Sequence, residues 1–413
     1  MSKKLLQINI TANWGSHGKI AEGIGDSVLS HGWESHIAYG RWSNPSHSHL
    51  YHIGSMADER WHGVCSRLFD DHGLHSCRAT RRLVEYAKAL QPDIIHLHNI
   101  HGYYLNYPIL FDYLAQSGIP VVWTLHDCWT YTGHCAHYMF VGCDRWKTHC
   151  HDCPQKKAYP ASLWLDRSER NHTLKQQYFR SLPHLTLVPV SHWLEGELRK
   201  SFFKDTPIRQ IYNGIDLDTF RPCPADDRKP AVMEGYRHMI LGVASNWYRK
   251  GLDDFFRLRE MLPADCLIVI VGAGGKDLQR INATKGMTGI PRTQNVDELR
   301  RLYSAADVYF NPTWEDNLPT TNIEALACGT PVITYDTGGA GEIIVPGTGY
   351  VIAQGDLQAA VQHIGTIIGK GNAAYADACR KRITDTFDRR QRYEEYYDLY
   401  QEILGKQSPQ APE

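Results

Sequence analysis

The sequence contains 413 residues, more than one ordinary hydrophobic core accommodates, so two domains are expected. Its 44 Lys and Arg residues balance 45 Asp and Glu residues, and the net charge of −1 excludes a general attraction to nucleic acid. The lack of any apolar run of about 18 residues excludes a membrane-spanning helix. The first apolar stretch is short and contains Gln7 and Asn9, which favours a buried strand over a signal peptide. We therefore expect a cytoplasmic protein whose 11 cysteines are mostly reduced.

The first half of the chain alternates short apolar runs with helical patterns, which is typical of an α/β fold with a parallel, doubly wound sheet. The predicted strands cover residues 5–10, 36–39, 92–98, 121–125 and 185–190. The predicted helices cover residues 19–31, 78–90 and 109–116. The helix at 78–90 has a basic face that is either a solvated surface or a contact with an anionic membrane. This face consists of Arg78, Arg81, Arg82 and Lys88.

Residues 213–230 are rich in turn residues, proline and charge, and indicate a linker to a second alternating set. The strands predicted in that set cover residues 239–243, 267–271, 308–310 and 331–335. A last helix is predicted at 387–404, because its aromatic and apolar residues recur at helical spacing. These residues are Tyr393, Tyr396, Tyr397, Tyr400, Ile403 and Leu404. Residues 408–413 are expected to be disordered.

The segment that carries Asp316 and Glu324 is the most informative part of the sequence. A helix is predicted to begin between these two acids, with Asn317 as its N-cap and Pro319 in its first turn. A helix N-terminus offers free N–H groups and a positive dipole end to phosphate. Flanking carboxylates accept hydrogen bonds from hydroxyls, so the pattern indicates a site for a sugar nucleotide.

The residues from Glu324 to Val332, Glu-Ala-Leu-Ala-Cys-Gly-Thr-Pro-Val, resemble the second half of the E-x7-E signature of family-4 glycosyltransferases. Asp316 takes the place of the first Glu of that signature. The resemblance implies retaining enzymes of the GT-B fold, in which two doubly wound Rossmann-like domains face a cleft. It places the acceptor-side domain at 1–218, the nucleotide-sugar domain at 219–386, and a C-terminal helix that returns to the first domain at 387–406.

The same resemblance assigns roles in the second domain. Lys250 matches the family's K-G pair, and Arg249 is a substitute for the clamp arginine, whose position holds Ser245. Lys250 and Asp316 are the expected catalytic residues, since a cation there neutralises the departing diphosphate. The remaining donor contacts are expected from the glycine turn after the strand at 267–271, from the helix start and from the ribose-binding acid. They are Gly272, Asn317, Leu318, Thr320 and Glu324.

In the first domain, Gly15 and Gly18 are expected in a loop that faces the distal phosphate of the donor. His126 matches the family histidine that approaches the donor sugar, and Asp127 is expected to orient the site or meet the acceptor hydroxyl. A rival interpretation joins His96-Leu-His98 to His126-Asp127 as ligands of a catalytic metal, as in amidohydrolases. That interpretation requires a single βα barrel.

Four cysteines, in the pattern C-x7-C-x6-C-x2-C, favour a structural zinc site in a reduced compartment. They are Cys135, Cys143, Cys150 and Cys153. Disulfides and independent thiols remain alternatives, and His137, His149 or His151 could replace one cysteine. The block that contains them resembles an insertion in a capsule and colanic-acid subgroup of the family, and is expected to shape the acceptor side.

The sequence therefore predicts a glycosyltransferase that uses a nucleotide-sugar donor and a glycan or lipid-linked oligosaccharide acceptor of a bacterial surface polysaccharide. The resemblance implies that catalysis requires no cofactor. A nucleotide-sugar epimerase of the same fold and a non-catalytic paralogue are the alternatives. The expected location is the cytoplasm, with peripheral contact at the inner membrane as a further hypothesis.

Overall fold

A computed structural model describes residues 2–224, 231–245 and 247–407. It divides into two compact units: the first consists of Met1–Tyr212 with Arg390–Glu413, and the second of Asn213–Arg389. These boundaries lie a few residues from those expected at 218/219 and 386/387. Residues 225–230 of the expected linker, and the tail at 408–413, lie outside the described residues.

The first unit is built on a parallel sheet of six strands in its described part, in the order β3-β2-β1-β4-β5-β6. Strands β4 and β5 are buried along their whole length, because helices cover both faces of the sheet. The strands are β1 Lys4–Ala12, β2 Glu34–Ser43, β3 His49–His52, β4 Ile94–Leu97, β5 Val121–Leu125 and β6 Leu185–Pro189. The helices are α1 Gly15–Ser30, α2 Met56–Phe69, α3 Cys77–Leu90, α4 Tyr107–Ser117, α5 Ser168–Phe179 and α6 His192–Leu198.

The second unit repeats the design, with a parallel sheet in the order β12-β11-β10-β7-β8-β9 among the residues described. Its strands are β7 His238–Val243, β8 Cys266–Val271, β9 Met287–Ile290, β10 Val308–Asn311, β11 Val332–Tyr335 and β12 Gly349–Ile352. Its helices are α7 Leu252–Met261, α8 Gly275–Ala283, α9 Val296–Ala305, α10 Thr320–Ala327, α11 Leu357–Lys370 and α12 Ala373–Thr386. In both units, therefore, the loops that follow the strands gather at one edge of the sheet, where ligands of doubly wound folds bind.

Local sequence explains several helix ends. The Asn106 side chain caps α4 by accepting a hydrogen bond from the Ile109 amide at 3.1 Å, and Gly118 ends that helix in the left-handed conformation. Ser55 caps α2 in the same way, through the amide of Asp58. Helix α1 begins at Gly15, earlier than the expected residue 19, so the expected glycine loop is the first turn of this helix.

The last helix, α13 (Arg389–Gln407), completes the core of the first unit. Its buried Tyr396 and Tyr400 pack in one cluster with Ile24 and Val28 of α1. A Cβ atom on Gly23 would lie 2.0 Å from the ring of Tyr393, so glycine is needed for the close approach of the two helices. Within the described residues, no helix combines the length and the apolar character needed to cross a membrane.

Candidate functional site

A pair of ionic contacts connects two strand ends of the second unit. The Lys250 ammonium, in the turn between β7 and α7, lies 2.5 Å from the Asp316 carboxylate in the loop after β10. It also donates to the carbonyl oxygen of Glu315 at 3.1 Å. An ammonium has three N–H donors, so one remains for a further acceptor. The side chains of Lys250 and Asp316 are 25% and 23% exposed, which leaves both accessible to a ligand.

The neighbouring residues form a second ion pair with a different environment. Arg249 donates to Glu315, whose side chain is 0% exposed. The Trp314 amide donates to the Arg249 carbonyl at 2.9 Å, so the two loops are also joined through their backbones. Since a buried carboxylate requires its partner cation, Arg249 holds the loop in place through Glu315, while its own side chain is 28% exposed and therefore as accessible as that of Lys250. Asn246, which precedes Arg249 and Lys250 in the same turn, lies outside the described residues.

Two glycines allow the backbone to approach closely at this edge of the sheet. Gly251 has φ of +76°, and a Cβ atom there would lie 2.1 Å from the Pro312 carbonyl oxygen. Gly272 has φ of +92°, and its Cβ would lie 1.8 Å from the Ala244 carbonyl oxygen. Any other residue would push these strand-end loops apart.

The helix start in this corner differs from its prediction in one respect. Helix α10 begins at Thr320, and Pro319 is the N-cap residue, with extended backbone and no side-chain cap. Asn317 is therefore not the cap; it is buried, and its carbonyl oxygen accepts a hydrogen bond from the Gly339 amide at 2.8 Å. Leu318 is also buried. Helix α10 consequently begins four residues after Asp316, with a proline cap that leaves the first helical amides without a competing side chain.

Glu324 lies one turn further along α10. The buried hydroxyl of Tyr303 donates to its carboxylate at 2.8 Å, and this contact fixes the side chain. Glu324 itself is partly exposed. A carboxylate oriented in this way has remaining lone pairs for hydroxyl donors.

In the first unit, a chain of polar contacts leads from the sheet to His126, directly after β5. Gln7 accepts from His98 Nε2 at 3.0 Å, and His98 Nδ1 lies 3.4 Å from His126 Nε2. Burial, followed by the nearby rings of His17 and His98, lowers the pKa of His126 well below its ordinary value. The ring is therefore neutral near pH 7 and is able to take part in hydrogen bonds as an uncharged imidazole.

Asp127 is held as a carboxylate. His101 Nε2 lies 2.8 Å from one of its oxygens, and the Trp129 amide donates to the other at 3.0 Å. Burial alone would raise the pKa of Asp127, but the charge and hydrogen bond of His101 outweigh it and lower the pKa below its usual range. The hydroxyl of Tyr159 lies 3.0 Å from His101 Nδ1, so the three side chains form one network.

The first turn of α1 lies beside this network. The rings of His17 and His126 have centroids 4.7 Å apart, and Asn99 Nδ2 lies 3.1 Å from His17 Nδ1. Gly15 has φ of +64° and nothing within 4 Å of an added Cβ atom. An added Cβ atom on Gly18 would lie 2.8 Å from Thr11 Oγ1, so Gly18 is required for packing.

The rival metallohydrolase interpretation is wrong, because the two separate sheets are not a barrel. His96 has a structural role. It is fully buried, and its two ring nitrogens contact the hydroxyls of Tyr400 (2.6 Å) and Thr124 (2.8 Å). Both hydrogen-bonding positions of the ring are thereby occupied within the protein.

The four cysteines of the expected zinc site line one small cavity after β5, with room for about one atom of water size. His134 and His151 line the same cavity. His137 and His149, two of the expected alternative ligands, are not among the residues that line it.

Sequence reasoning missed Tyr303, Glu315, His101 and Tyr159. His101 carried a readable signal, since it follows a predicted strand in the run His96-Leu-His-Asn-Ile-His101. Tyr303 and Tyr159 carried no such signal in the sequence, because each contacts its site residue, Glu324 or His101, from an element distant in sequence. The Lys250 group lies in the second unit and the His126 group in the first, and the contacts described above for each group lie within its own unit.

Two doubly wound domains, one with an accessible cation and acid at a helix N-terminus, define a glycosyltransferase of the GT-B class. Sucrose-phosphate synthase from Thermosynechococcus elongatus shares this fold, with a TM-score of 0.71, 18% identity, and coverage of 98% of this chain and 100% of that one. HepE of Anabaena, solved with UDP, gives a TM-score of 0.67 and 13% identity, with coverage of 97% and 100%. Further HepE structures contain UDP with glucose, or UDP-glucose.

Family models match both units. Residues 24–219 match the family described as Glycosyltransferase Family 4, and residues 237–370 match Glycosyl transferases group 1. The Escherichia coli (strain K12) protein provisionally named colanic acid biosynthesis glycosyl transferase WcaC is 25% identical over 426 residues, which cover 97% of this chain and 100% of that protein. Both units thus match glycosyltransferase family models, as the signature segment predicted, and the chain is a glycosyltransferase.

Proposed function

We propose that this glycosyltransferase moves a sugar, with retention of anomeric configuration, from a nucleoside-diphosphate sugar to a lipid-linked oligosaccharide of a bacterial surface polysaccharide. The observation that carries the proposal is the accessible Lys250–Asp316 pair, with Asp316 in the loop that leads into the N-terminus of α10. A diphosphate meets a cation and free amides there, and a sugar hydroxyl meets a carboxylate.

Each residue of the second unit has a distinct task in this proposal. Lys250 stabilises the negative charge that develops on the departing diphosphate. Asp316 accepts hydrogen bonds from the donor sugar, and Glu324, held by Tyr303, accepts them from the ribose. Arg249 acts as a positioning residue through Glu315, rather than as a phosphate ligand.

The first unit supplies the acceptor side. Neutral His126 contacts the donor sugar or its incoming acceptor, and Asp127 orients the loop that carries it. The network of His101, Tyr159 and the Trp129 amide around Asp127 supports a positioning role, because both carboxylate oxygens are already engaged. Gly15 and Gly18, in the first turn of α1, remain the predicted contacts for the distal phosphate.

The comparisons support the donor and the pathway at different levels. The UDP and UDP-glucose bound by HepE support a nucleoside-diphosphate sugar, and the name of WcaC supports colanic-acid-like polysaccharide synthesis. Neither identifies the base or the sugar of the donor.

A thermal-shift panel of UDP-, GDP- and ADP-sugars tests the donor site. A matched donor at about 100 times its Kd stabilises the second unit by about 2.7 kcal/mol. The Lys250→Ala variant should keep only about 0.4–1.4 kcal/mol of this stabilisation at the same concentration, as a 10- to 100-fold weaker Kd implies, while Lys381→Ala, which removes an exposed ion pair with Asp385, should retain it in full. Equal shifts in both variants would remove Lys250 from the site.

Analysis of products by NMR then distinguishes a retained glycosidic linkage from inversion. An epimerised donor formed without acceptor would replace the transferase proposal.

We also propose that the first unit contacts an anionic membrane through a mixed aromatic and basic surface, which we name the Trp61 surface. It comprises Trp61, Val64 and Arg67 of α2 together with Leu163 and Trp164. Trp61 is 67% exposed and Trp164 is 70% exposed. The Leu163 amide donates to the Arg67 carbonyl at 2.8 Å, which holds the loop against the helix. Tryptophan with arginine suits the interface of a bilayer, where a lipid-linked acceptor is found.

Two surfaces therefore compete for the membrane: the Trp61 surface and the exposed basic face of α3. Sedimentation with vesicles that contain phosphatidylglycerol separates them. The double variant Trp61→Ser/Trp164→Ser should lose binding, whereas Arg78→Gln/Arg81→Gln/Arg82→Gln should retain most of it. The opposite result would move the contact to α3, and equal binding to vesicles of neutral lipid alone would remove the electrostatic part of the proposal.

A further inference from the structure

We propose that Cys135, Cys143, Cys150 and Cys153 hold one structural zinc ion as four thiolates. All four side chains line the same small cavity, and all are free thiols. Four sulfur ligands around a site of atomic size are the ligand set of a closed, structural zinc site.

The backbone around the cavity is built for a thiolate. The Gly133 amide donates to Cys150 Sγ at 3.2 Å, the kind of contact that orients and stabilises a metal-bound sulfur. A Cβ atom on Gly133 would lie 2.1 Å from the Ser168 carbonyl oxygen and 2.7 Å from Cys150 Cβ. Only glycine therefore brings this amide within reach of the sulfur.

A buried cation supplies charge balance. Zinc with four thiolates has a net charge of −2, which requires compensation in a buried place. Lys175 is 2% exposed, and its ammonium donates to the carbonyl oxygens of Trp129 (2.6 Å) and Thr132 (2.9 Å), in the loop that leads to Cys135. Burial lowers the pKa of Lys175 to about 7, and nearby negative groups that include Asp127 and Asp70 oppose this shift. A zinc-thiolate centre would add a further negative partner for this lysine, beside its carbonyl acceptors and the Trp129 ring 3.5 Å away.

The sulfur atoms must move inward to bind the ion. No three of them lie within 4.8 Å of one another, whereas a tetrahedral site with Zn–S bonds of about 2.3 Å requires separations of about 3.8 Å. Rotation about the Cα–Cβ bonds is the movement that brings sulfur atoms on one cavity wall closer together without a change of fold. Binding is expected to tighten the loop, because each ligand is drawn toward one centre.

The cysteine loop is hydrogen-bonded to the site residues of the first unit. An effect of zinc on sugar transfer therefore rests on the proposed function. The Cys128 amide, one residue after Asp127, donates to the Ala136 carbonyl at 2.8 Å. The Ala136 amide donates to the Tyr159 carbonyl at 3.4 Å, and the Tyr159 hydroxyl contacts His101. A zinc ion at Cys135 would thus fix both ends of the Asp127 network.

Metal analysis by mass spectrometry of the full chain, purified without chelator from zinc-supplemented cells, tests the proposal. One zinc ion per chain is expected in the unaltered protein and in Cys77→Ser, which changes an exposed cysteine outside the cavity. Cys150→Ser/Cys153→Ser should lose the ion. Cobalt exchange provides a second readout in the unaltered protein, with intense thiolate-to-metal absorption expected for four sulfur ligands.

Three results would overturn the zinc site: a folded chain without zinc, a disulfide among these cysteines in peptide mapping, or an X-ray absorption spectrum without four sulfur ligands. Metal content is independent of the donor, so the zinc site can fail or stand separately from the proposed function. If both stand, removal of zinc should lower transfer and leave the affinity for the nucleotide identified by the thermal-shift panel unchanged. An equal loss of transfer activity and of nucleotide affinity would contradict the connection to Asp127.

Discussion

The ammonium of Lys250 lies 2.5 Å from the carboxylate of Asp316, so the cation expected to hold the diphosphate is paired with the acid expected to hold the sugar. One pair of side chains therefore serves two parts of one donor. The bond must be shared or opened when the donor binds. Substitutions on the two sides of the pair should have opposite effects on nucleotide affinity.

Replacing Lys250 by alanine should weaken binding of the nucleoside diphosphate by about 10- to 100-fold, because a hydrogen bond to a charged group contributes about 1.5–3 kcal/mol. Isothermal titration calorimetry with the nucleotide identified by the thermal-shift panel measures the change. Lys381→Ala is the control. An affinity within twofold of the unaltered protein would contradict the diphosphate role.

Replacing Asp316 by asparagine should leave nucleotide affinity unchanged or raise it, since the variant removes a negative charge beside the diphosphate and frees Lys250. Transfer should fall, because the sugar loses its acceptor of hydrogen bonds. Calorimetry and an initial-rate assay on the same preparation measure both. A loss of nucleotide affinity as large as that of Lys250→Ala would show that Asp316 only maintains the structure of the loop.

Replacing His126 by alanine should lower kcat by roughly 100-fold or more, within the range for a group that acts on the reacting atoms. Nucleotide affinity should stay nearly the same, because the Lys250 group belongs to the other unit. His101→Asn should cause a smaller loss and shift the pH profile of kcat, as a positioning residue that holds Asp127. Unchanged turnover in His126→Ala would remove this residue from the mechanism.

Stability should fall as the pH is lowered from about 7 to 5, because buried rings are kept neutral in the folded first unit. Burial lowers the pKa of His17 to about 4 and that of His96 to about 3. In the unfolded chain each ring has the ordinary histidine pKa of about 6.5, so below that pH the unfolded chain binds more protons than the folded one. Each ring then lowers the free energy of unfolding by about 1.4 kcal/mol for every pH unit below this value. Urea unfolding followed by tryptophan fluorescence measures the slope. His96→Gln should reduce it, and an unaltered slope in that variant would be inconsistent with His96 as a source.

Replacing Tyr400 by phenylalanine should destabilise the first unit by about 1–3 kcal/mol, because the buried His96 loses a hydrogen-bond partner. Tyr397→Phe provides the matched control on α13, since its hydroxyl contacts only the partly exposed Gln401 among the hydrogen bonds described. Denaturant unfolding compares the two. Similar stability of both variants would mean that the His96–Tyr400 contact contributes little.

Buried strands were the most predictable part of the fold. The runs at 121–125 and 267–271 are continuous apolar stretches, and the structure confirms both as strands. Strand β3 was missed because it lies at the edge of the sheet, with three of its four residues exposed. Its sequence, His-Leu-Tyr-His, has no apolar alternation that could identify it.

The signature segment made the position of Asp316 and Glu324 predictable, but not the partners of these acids. Lys250 and Asp316 are 66 residues apart in sequence. They meet because β7 and β10 are neighbours in the sheet, which strand patterns alone do not reveal. For the same reason, the contact between His101 and Asp127 depends on the pairing of β4 with β5. Adjacent acids also diverge: Glu315 turns inward and Asp316 outward.

Helix α13 makes the order of synthesis matter. The second unit is one uninterrupted stretch of chain, whereas the core of the first unit includes Tyr396 and Tyr400 from the far end. The first unit therefore cannot finish folding until the ribosome releases the last helix, although most of it emerges first. A polypeptide that stops early would leave apolar surface uncovered around Ile24 and Val28, and chaperones or proteases could recognise it as incomplete.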